Sequence, residues 1–160
     1  MCLVPRQRLG VRVNSTVVVT AFVVTLLDAA TKVWARHALS GHARRVFGGI
    51  WLRLQYNSGM SFSLNRSGPL VTTVLAVVVL LIVLVVALRA QTGTPSVGFG
   101  LLIGGGLANV IDRLAASPHR VTDFIAVGSF PVFNLADAAI TIGFVVLLVA
   151  TLRGERLLRQ

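Results

Sequence analysis

Apolar residues along this chain come in four long blocks, and most of the charged residues lie between or beside them. The blocks cover about 13–35, 70–88, 96–114 and 134–152, each close to the roughly 20 residues that an α-helix needs to cross a bilayer core. The second block, 70–88, has 19 residues and no charge, which makes it the clearest span. The first continues past Asp28 and is followed by polar residues rather than a small-residue cleavage site, so it is expected to be a retained span. The third carries Gly98, Gly100, Gly104, Gly105 and Gly106, and its Gly100 and Gly104 form a small-xxx-small pair suited to close helix contact in lipid.

The connecting segments differ in kind. Between the first two blocks, 39–68 shows loose alternation with aromatic and β-branched residues, and Gly48-Gly49 offers a turn. A small β-like platform lying on the membrane is expected there. Segment 90–95 is a short link, and 115–132 holds Pro118, Gly128 and Pro131 as breakers and reads as a loop. The pattern therefore predicts an all-α integral membrane protein. It has four transmembrane helices, a small β-like extracytoplasmic platform between helices 1 and 2, and a single membrane-embedded domain over 1–160.

Composition agrees. Of 160 residues, 55% are hydrophobic and 12% charged, and the mean hydropathy of +0.84 is too high for an ordinary water-soluble domain of this size. The net charge of +10 raises the question of nucleic acid, but its distribution answers no. Arg6, Arg8 and Arg12 precede the first block, Arg89 follows the second, and Arg153, Arg156 and Arg159 follow the last, so they read as membrane-edge anchors. The other side carries Arg36, Arg44, Arg45, Arg53, Arg66, Arg113 and Arg120, which leaves the raw count at seven against seven. The terminal charges sit in short tails, and that favours cytoplasmic termini.

Four alternating spans bring the end of the first, the end of the third and the start of the fourth to one face. All four aspartates fall there: Asp28, Asp112, Asp123 and Asp137, with Asn57, Asn109, Arg113 and Asn134. A carboxylate at a helix centre costs about 2.5–3.5 kcal/mol on insertion scales, so four near one leaflet call for a reason beyond wet helix ends. Asp28 and Lys32 are spaced i,i+4 with the acid first, the favourable order for an ion pair, and suit a structural or supporting role. Gly105, Asn109 and Asp112 share a helix face beside Arg113 and suit an interhelical network or a substrate clamp equally. Asp123 and Asp137 have no evident local cation. Two carboxylates brought together where water is scarce share one proton, so one acts as acid while the other acts as base, which suits hydrolysis without a metal or a covalent intermediate. Other chemistries fit less well. Cys2 lies on the terminal side, His37, His42 and His119 make no zinc-protease pair, and Ser58, Ser61 and Ser63 have no evident base.

Five blocks of residues, in order, carry a more specific signal: Asp28-Ala29-Ala30-Thr31-Lys32; Asn57 to Ser63; Gly104 to Arg113; Val121-Thr122-Asp123-Phe124; and Phe130 to Asp137, with its Asn134-Leu135-Ala136-Asp137. Together they resemble the lipoprotein signal peptidases, the bacterial type II signal peptidases, a family of four-helix membrane aspartic peptidases. The resemblance implies that Asp123 and Asp137 are the catalytic dyad. It makes Asp28, Lys32, Asn57, Gly59, Asn109, Asp112, Arg113, Asn134 and Ala136 residues that bind substrate or support the site. It implies diacylglyceryl-modified prolipoproteins as substrates, cut before the lipidated cysteine, globomycin-like cyclic peptides as inhibitors, and no cofactor. Departures are modest: Ala29 stands where the family usually has Gln, Ser61 where it has Ala, and Gly104-Gly105-Gly106-Leu107-Ala108-Asn109 where its pattern is Gly-Gly-Ala-x-Gly-Asn.

The expected location is the bacterial cytoplasmic membrane, multi-pass, with cytoplasmic termini and the active site toward the extracytoplasmic leaflet. Segment 39–68 is expected to cover the site, and Arg44, Arg45, Arg53 and Arg66 to face phospholipid phosphates or solvent. The alternative is a small transporter or proton relay, but a relay needs polar residues across the whole bilayer, and the second block offers only Thr72 and Thr73. A non-enzymatic assembly factor docking through the third block would leave the Asp pair unused.

Overall fold

The computed structural model describes residues 14–59, 68–115 and 119–159. Cys2, Arg6, Arg8, Arg12, Ser61, Ser63, Arg66 and Pro118 lie outside the described residues. The four apolar blocks are helices: α1 (Ser15–Ala38), α2 (Gly68–Ala87), α3 (Thr94–Ala115) and α4 (Leu135–Leu152). All four are long and apolar enough to cross a membrane. Their boundaries lie within three residues of those read from hydropathy.

A three-stranded antiparallel sheet, in the order β1-β2-β3, caps one end of the bundle. Strands β1 (Arg44–Phe47) and β2 (Ile50–Asn57) form the hairpin expected around Gly48-Gly49. The third strand, β3 (Val121–Val127), corrects the sequence reading, which placed Asp123 in a loop and drew the platform from the first connecting segment alone. Burial explains the difference: Val121, Thr122, Asp123, Phe124 and Ala126 are all buried, so the strand lacks the alternation that marks a half-exposed one. The inner side of the sheet rests on the end of α1, where Leu52, Leu54 and Ile125 pack around Ala35, Leu39 and Phe124. Pairing of Gln55 with Asp123 and of Asn57 with Val121 draws the end of β2 alongside Asp123.

Helix α3 is the centre of the bundle. In its most apolar stretch 61% of residues are buried, against 17–28% in the other three helices, whose outer faces are left for lipid. Its glycines allow this. A Cβ on Gly104 would lie 2.7 Å from the carbonyl oxygen of Ala21 in α1, and one on Gly105 would lie 2.5 Å from that of Ala136 in α4. Both neighbours are backbone and cannot turn aside. At the opposite end of the bundle, the C-terminal segment clasps the α2–α3 link: Gln91 N donates to Leu157 O at 2.8 Å and Arg159 N to Arg89 O at 2.7 Å.

Two neighbouring glycines should therefore respond differently to a methyl group. Gly105→Ala is expected to destabilise by about 1–3 kcal/mol through overpacking. Gly106→Ala, whose Cβ meets only the terminal Cδ1 of the Leu80 side chain at 3.2 Å, should be neutral or slightly stabilising, since alanine is the better helix former. Unfolding midpoints of the two variants in one detergent check this.

Candidate active site

The start of α4 organises the polar cluster. Asn134 is its N-cap and Asp137 its third residue, and they form a capping box: Asp137 N donates to Asn134 Oδ1 at 2.9 Å, and Asn134 N donates to Asp137 Oδ2 at 3.2 Å. Ala136 N, another free donor of the first turn, is taken by Asp28 Oδ1 at 2.8 Å, from 108 residues earlier in the chain. Two carboxylates thus sit at the positive end of α4, where the helix dipole favours negative charge. Ala136 is fully buried, with its backbone carbonyl against Gly105.

Asn134 also reaches the sheet. Its Nδ2 donates to Asp123 Oδ1 at 2.7 Å and to Asn109 Oδ1 at 3.1 Å, while Asn109 Nδ2 donates to Asp137 Oδ1 at 2.8 Å. One buried carboxamide therefore touches both aspartates singled out in the sequence. Lys32 Nζ lies behind them, 3.0 Å from Asn109 Oδ1, 2.7 Å from Asp28 Oδ2 and 3.3 Å from Asp112 Oδ2. Asp112 in turn accepts from Thr122 N at 2.7 Å, which fixes the residue next to Asp123.

The two aspartates are environmentally unlike. Asp137 accepts a hydrogen bond on each of its oxygens. Asp123 is fully buried, and its Oδ2 has no hydrogen-bond partner. Burial pushes its pKa up from the ordinary 3.8 to about 6. The Asn57 and Asn134 side chains oppose the rise, and the charge of nearby Asp137 adds to it.

Asn57 and Gly59 close one side. Gly59 N donates to Asn57 Oδ1 at 2.7 Å, and Gly59 has φ +79°, while a Cβ there would collide with the Thr72 side chain of α2. Glycine is needed for both the turn and the close approach. Arg113 borders the cluster, its Nη1 donating to Asn109 O at 3.2 Å and its Nε buried without a partner. A cleft of ≈ 410 Å³ runs from Arg113, Asn109 and Thr72 into an apolar channel between α2, α3 and α4, lined by Val79, Leu80 and Leu102. A second cleft, ≈ 320 Å³, lies between α1 and α2 near Asn14 and Leu88, away from the carboxylates.

Every site residue named from the sequence thus lies in or beside one cluster. Arg36 and Thr122 were missed: Arg36 Nη1 donates to Thr122 Oγ1 at 2.9 Å and approaches Asp112 Oδ1 at 3.5 Å. The signal was present, since Asp28, Lys32 and Arg36 recur every fourth residue on one helix face. Among the described residues, no group of three or more His, Cys, Asp and Glu side chains is placed to hold a metal ion.

Residues 20–153 match the sequence model of the Peptidase_A8 family, signal peptidase (SPase) II. The chain belongs to the signal peptidase II family. Among curated relatives, it is 31% identical to a lipoprotein signal peptidase of Streptomyces coelicolor over 94% of this chain and 76% of the relative. It is 36% identical to one of Chlorobium phaeobacteroides over 81% of this chain and 91% of the relative. A bacterial membrane enzyme solved by the in meso method shares the fold, with a TM-score of 0.77 and 26% identity over 86% of this chain and 93% of the other. This signal peptidase is a multi-pass bacterial membrane protease, and neither the comparisons nor the geometry favour a transporter.

Two stability effects follow from the cluster. Lys32→Met strands the buried Asp28 carboxylate and is expected to cost about 3–5 kcal/mol. Adding Asp28→Leu should restore part of that loss, so a double-mutant cycle in detergent should be strongly non-additive. Asp123 acts in the opposite sense. Because its folded pKa is raised, its stabilising contribution is complete below about pH 4 and is lost as pH rises through about 6. Asp123→Asn should therefore be more stable than the wild type above pH 6, by on the order of 3 kcal/mol, with the difference vanishing below about pH 4. Unfolding measured across that range tests the sign.

Proposed function

We propose that this signal peptidase is an aspartic endopeptidase that removes the signal peptide from diacylglyceryl-modified prolipoproteins, cutting before the lipidated cysteine. One observation carries the reading. A buried Asn134 carboxamide joins Asp123, whose pKa is raised and whose Oδ2 has no hydrogen-bond partner among the described residues, to an Asp137 whose oxygens both accept hydrogen bonds.

In this reading Asp123 enters the cycle protonated and Asp137 ionised. A water between them gives a proton to Asp137 as its oxygen attacks the scissile carbonyl carbon. Asp123 gives its proton to the carbonyl oxygen, and a neutral tetrahedral diol results. In the second step Asp137 returns a proton to the departing nitrogen while Asp123 takes one from the diol, the C–N bond breaks, and both carboxyls are reset. Asn134 and Asn109 hold the pair through N–H donors, and Lys32 compensates Asp28 and Asp112 behind it. The cleft suits the substrate. Its apolar channel accepts a signal-peptide helix from lipid, and its polar end, at Asn109 and Arg113, receives the peptide next to the cut. Globomycin-like cyclic peptides would occupy the same cleft, and phospholipid surrounds the spans. The termini lie in the cytoplasm and the carboxylates toward the extracytoplasmic leaflet, with the sheet above them.

The test is hydrolysis of a diacylglyceryl prolipoprotein in detergent. Asp123→Asn and Asp137→Asn should each lower kcat by about 10²–10⁴-fold without loss of the fold, the range for removing an acid or base. Near-normal turnover by either would overturn the assignment. Because the proton must be on Asp123 at the start, kcat/KM should decline as pH rises through about 6. Asn57→Ala, which removes a group that lowers this pKa, should move that limb upward.

A further inference from the structure

The end of the sheet farthest from the carboxylates presents a second feature. The β1–β2 turn at Gly48-Gly49 and the turn after β3 are fastened together, Gly128 N donating to Gly49 O at 3.1 Å. This paired tip displays apolar side chains that none of the described residues covers: Phe47 is 79% exposed, Phe130 63% and Val46 59%, with Trp51 beside them at 42%. Phe130 packs edge-on against Phe133, at 5.9 Å between centroids.

Position and charge identify what covers it. Phe130 is five residues before the first residue of α4, so at most roughly 18 Å of chain separates the tip from a membrane-spanning helix. The tip is thereby kept within that distance of a helix end. Residues 39–59 contain no Asp or Glu, whereas Arg44, Arg45 and Arg53 are exposed on the same two strands. Arg45 is fixed at the rim of the patch: its Nε donates to Gly48 O at 3.1 Å, and its guanidinium carbon lies 5.9 Å from the centre of the Trp51 ring. Its remaining donors are available to phosphate oxygens.

We propose that the paired-turn tip is a membrane-surface anchor, with Phe47, Trp51 and Phe130 seated among phospholipid chains near the headgroups and Arg44, Arg45 and Arg53 on the phosphates. It holds the sheet, and so the strand carrying Asp123, against the leaflet through which substrate arrives. The proposal rests on the four helices spanning a bilayer, not on the dyad.

The experiment uses the full chain in vesicles of phosphatidylcholine and phosphatidylglycerol, with Trp34→Phe so that Trp51 is the single tryptophan. Lipids brominated near the carbonyl end of the chain should quench Trp51, and Phe47→Ser with Phe130→Ser should reduce that quenching at least about twofold, as expected for an interfacial apolar contact. Arg44→Gln with Arg45→Gln should reduce it mainly in vesicles containing phosphatidylglycerol. Equal Trp51 emission with brominated and plain lipid would overturn the proposal, as would quenching indifferent to the Phe substitutions. So would cross-linking of Phe47→Cys, in a Cys2→Ser background, to a second copy while Trp51 stays unquenched. Hydrolysis by the same samples, compared with Asp123→Asn, reports separately on the dyad.

Discussion

A lysine ammonium can only donate hydrogen bonds, and this sets the direction of the whole polar cluster. Lys32 faces Asn109, so Asn109 must turn its oxygen toward Lys32 and its NH₂ toward Asp137. Asn109 Oδ1 then also accepts from Asn134 Nδ2, which leaves Asn134 Oδ1 for the backbone of α4 and its NH₂ for Asp123. Both amides therefore present donors to the aspartates. An apolar residue at 32 would leave each amide free to flip, and either flip would set an oxygen against a carboxylate.

Such a network needs helices closer together than most packed helices, because Asn and Asp side chains are short. The glycines of α3 supply that closeness. Gly104 and Gly105 place α3 against the backbones of α1 and α4, so Asn109, one turn further on, reaches Lys32 on one side and Asp137 on the other. The bulk excluded at Gly105 and the hydrogen bonds made at Asn109 are consequences of one interhelical spacing. A buried ion pair such as Asp28–Lys32 adds little net stability for its desolvation. Its value here is geometric: Asp28 caps α4, and Lys32 orients the amides.

The spans were legible because lipid imposes a length and an apolarity that few other environments demand, and segments such as 70–88 meet both. The Asp28–Lys32 pair was legible because it is local, and the Gly48-Gly49 turn because glycine pairs mark hairpins. Strand β3 was not. Its residues are buried on both sides, its partner strand lies more than sixty residues earlier, and its polar Thr122 and Asp123 find partners only in other elements. The cap at Asn134 was in plain sight, Asn followed three residues later by Asp, but it was read as chemistry alone. Arg36 entered only the charge count between the two sides because its partner, Thr122, is 86 residues away.

The two aspartates ride on different bodies, Asp137 on the first turn of a membrane helix and Asp123 on a strand of the capping sheet. Their separation is therefore a property of how the sheet is attached, not of either element alone. Three attachments bear on it: Asp112 takes Thr122 N, Asn134 takes Asp123 itself, and Phe133 pairs with Ile125 just before α4 begins. Asp112 and Asn134 flank Asp123 from α3 and α4, so a tilt of the sheet must break a hydrogen bond before it can widen the gap between carboxylates. The same sheet delivers Asn57 and Gly59 onto α2 at Thr72, which borders the polar end of the cleft. If the two aspartates are the catalytic pair proposed above, a substrate that moves α2 presses on the Asn57–Gly59 segment while the pair itself stays fastened to α3 and α4. On the proposed mechanism, the fold separates the part that must yield to a bulky lipid-borne peptide from the part that must hold two carboxyl groups and one water in register.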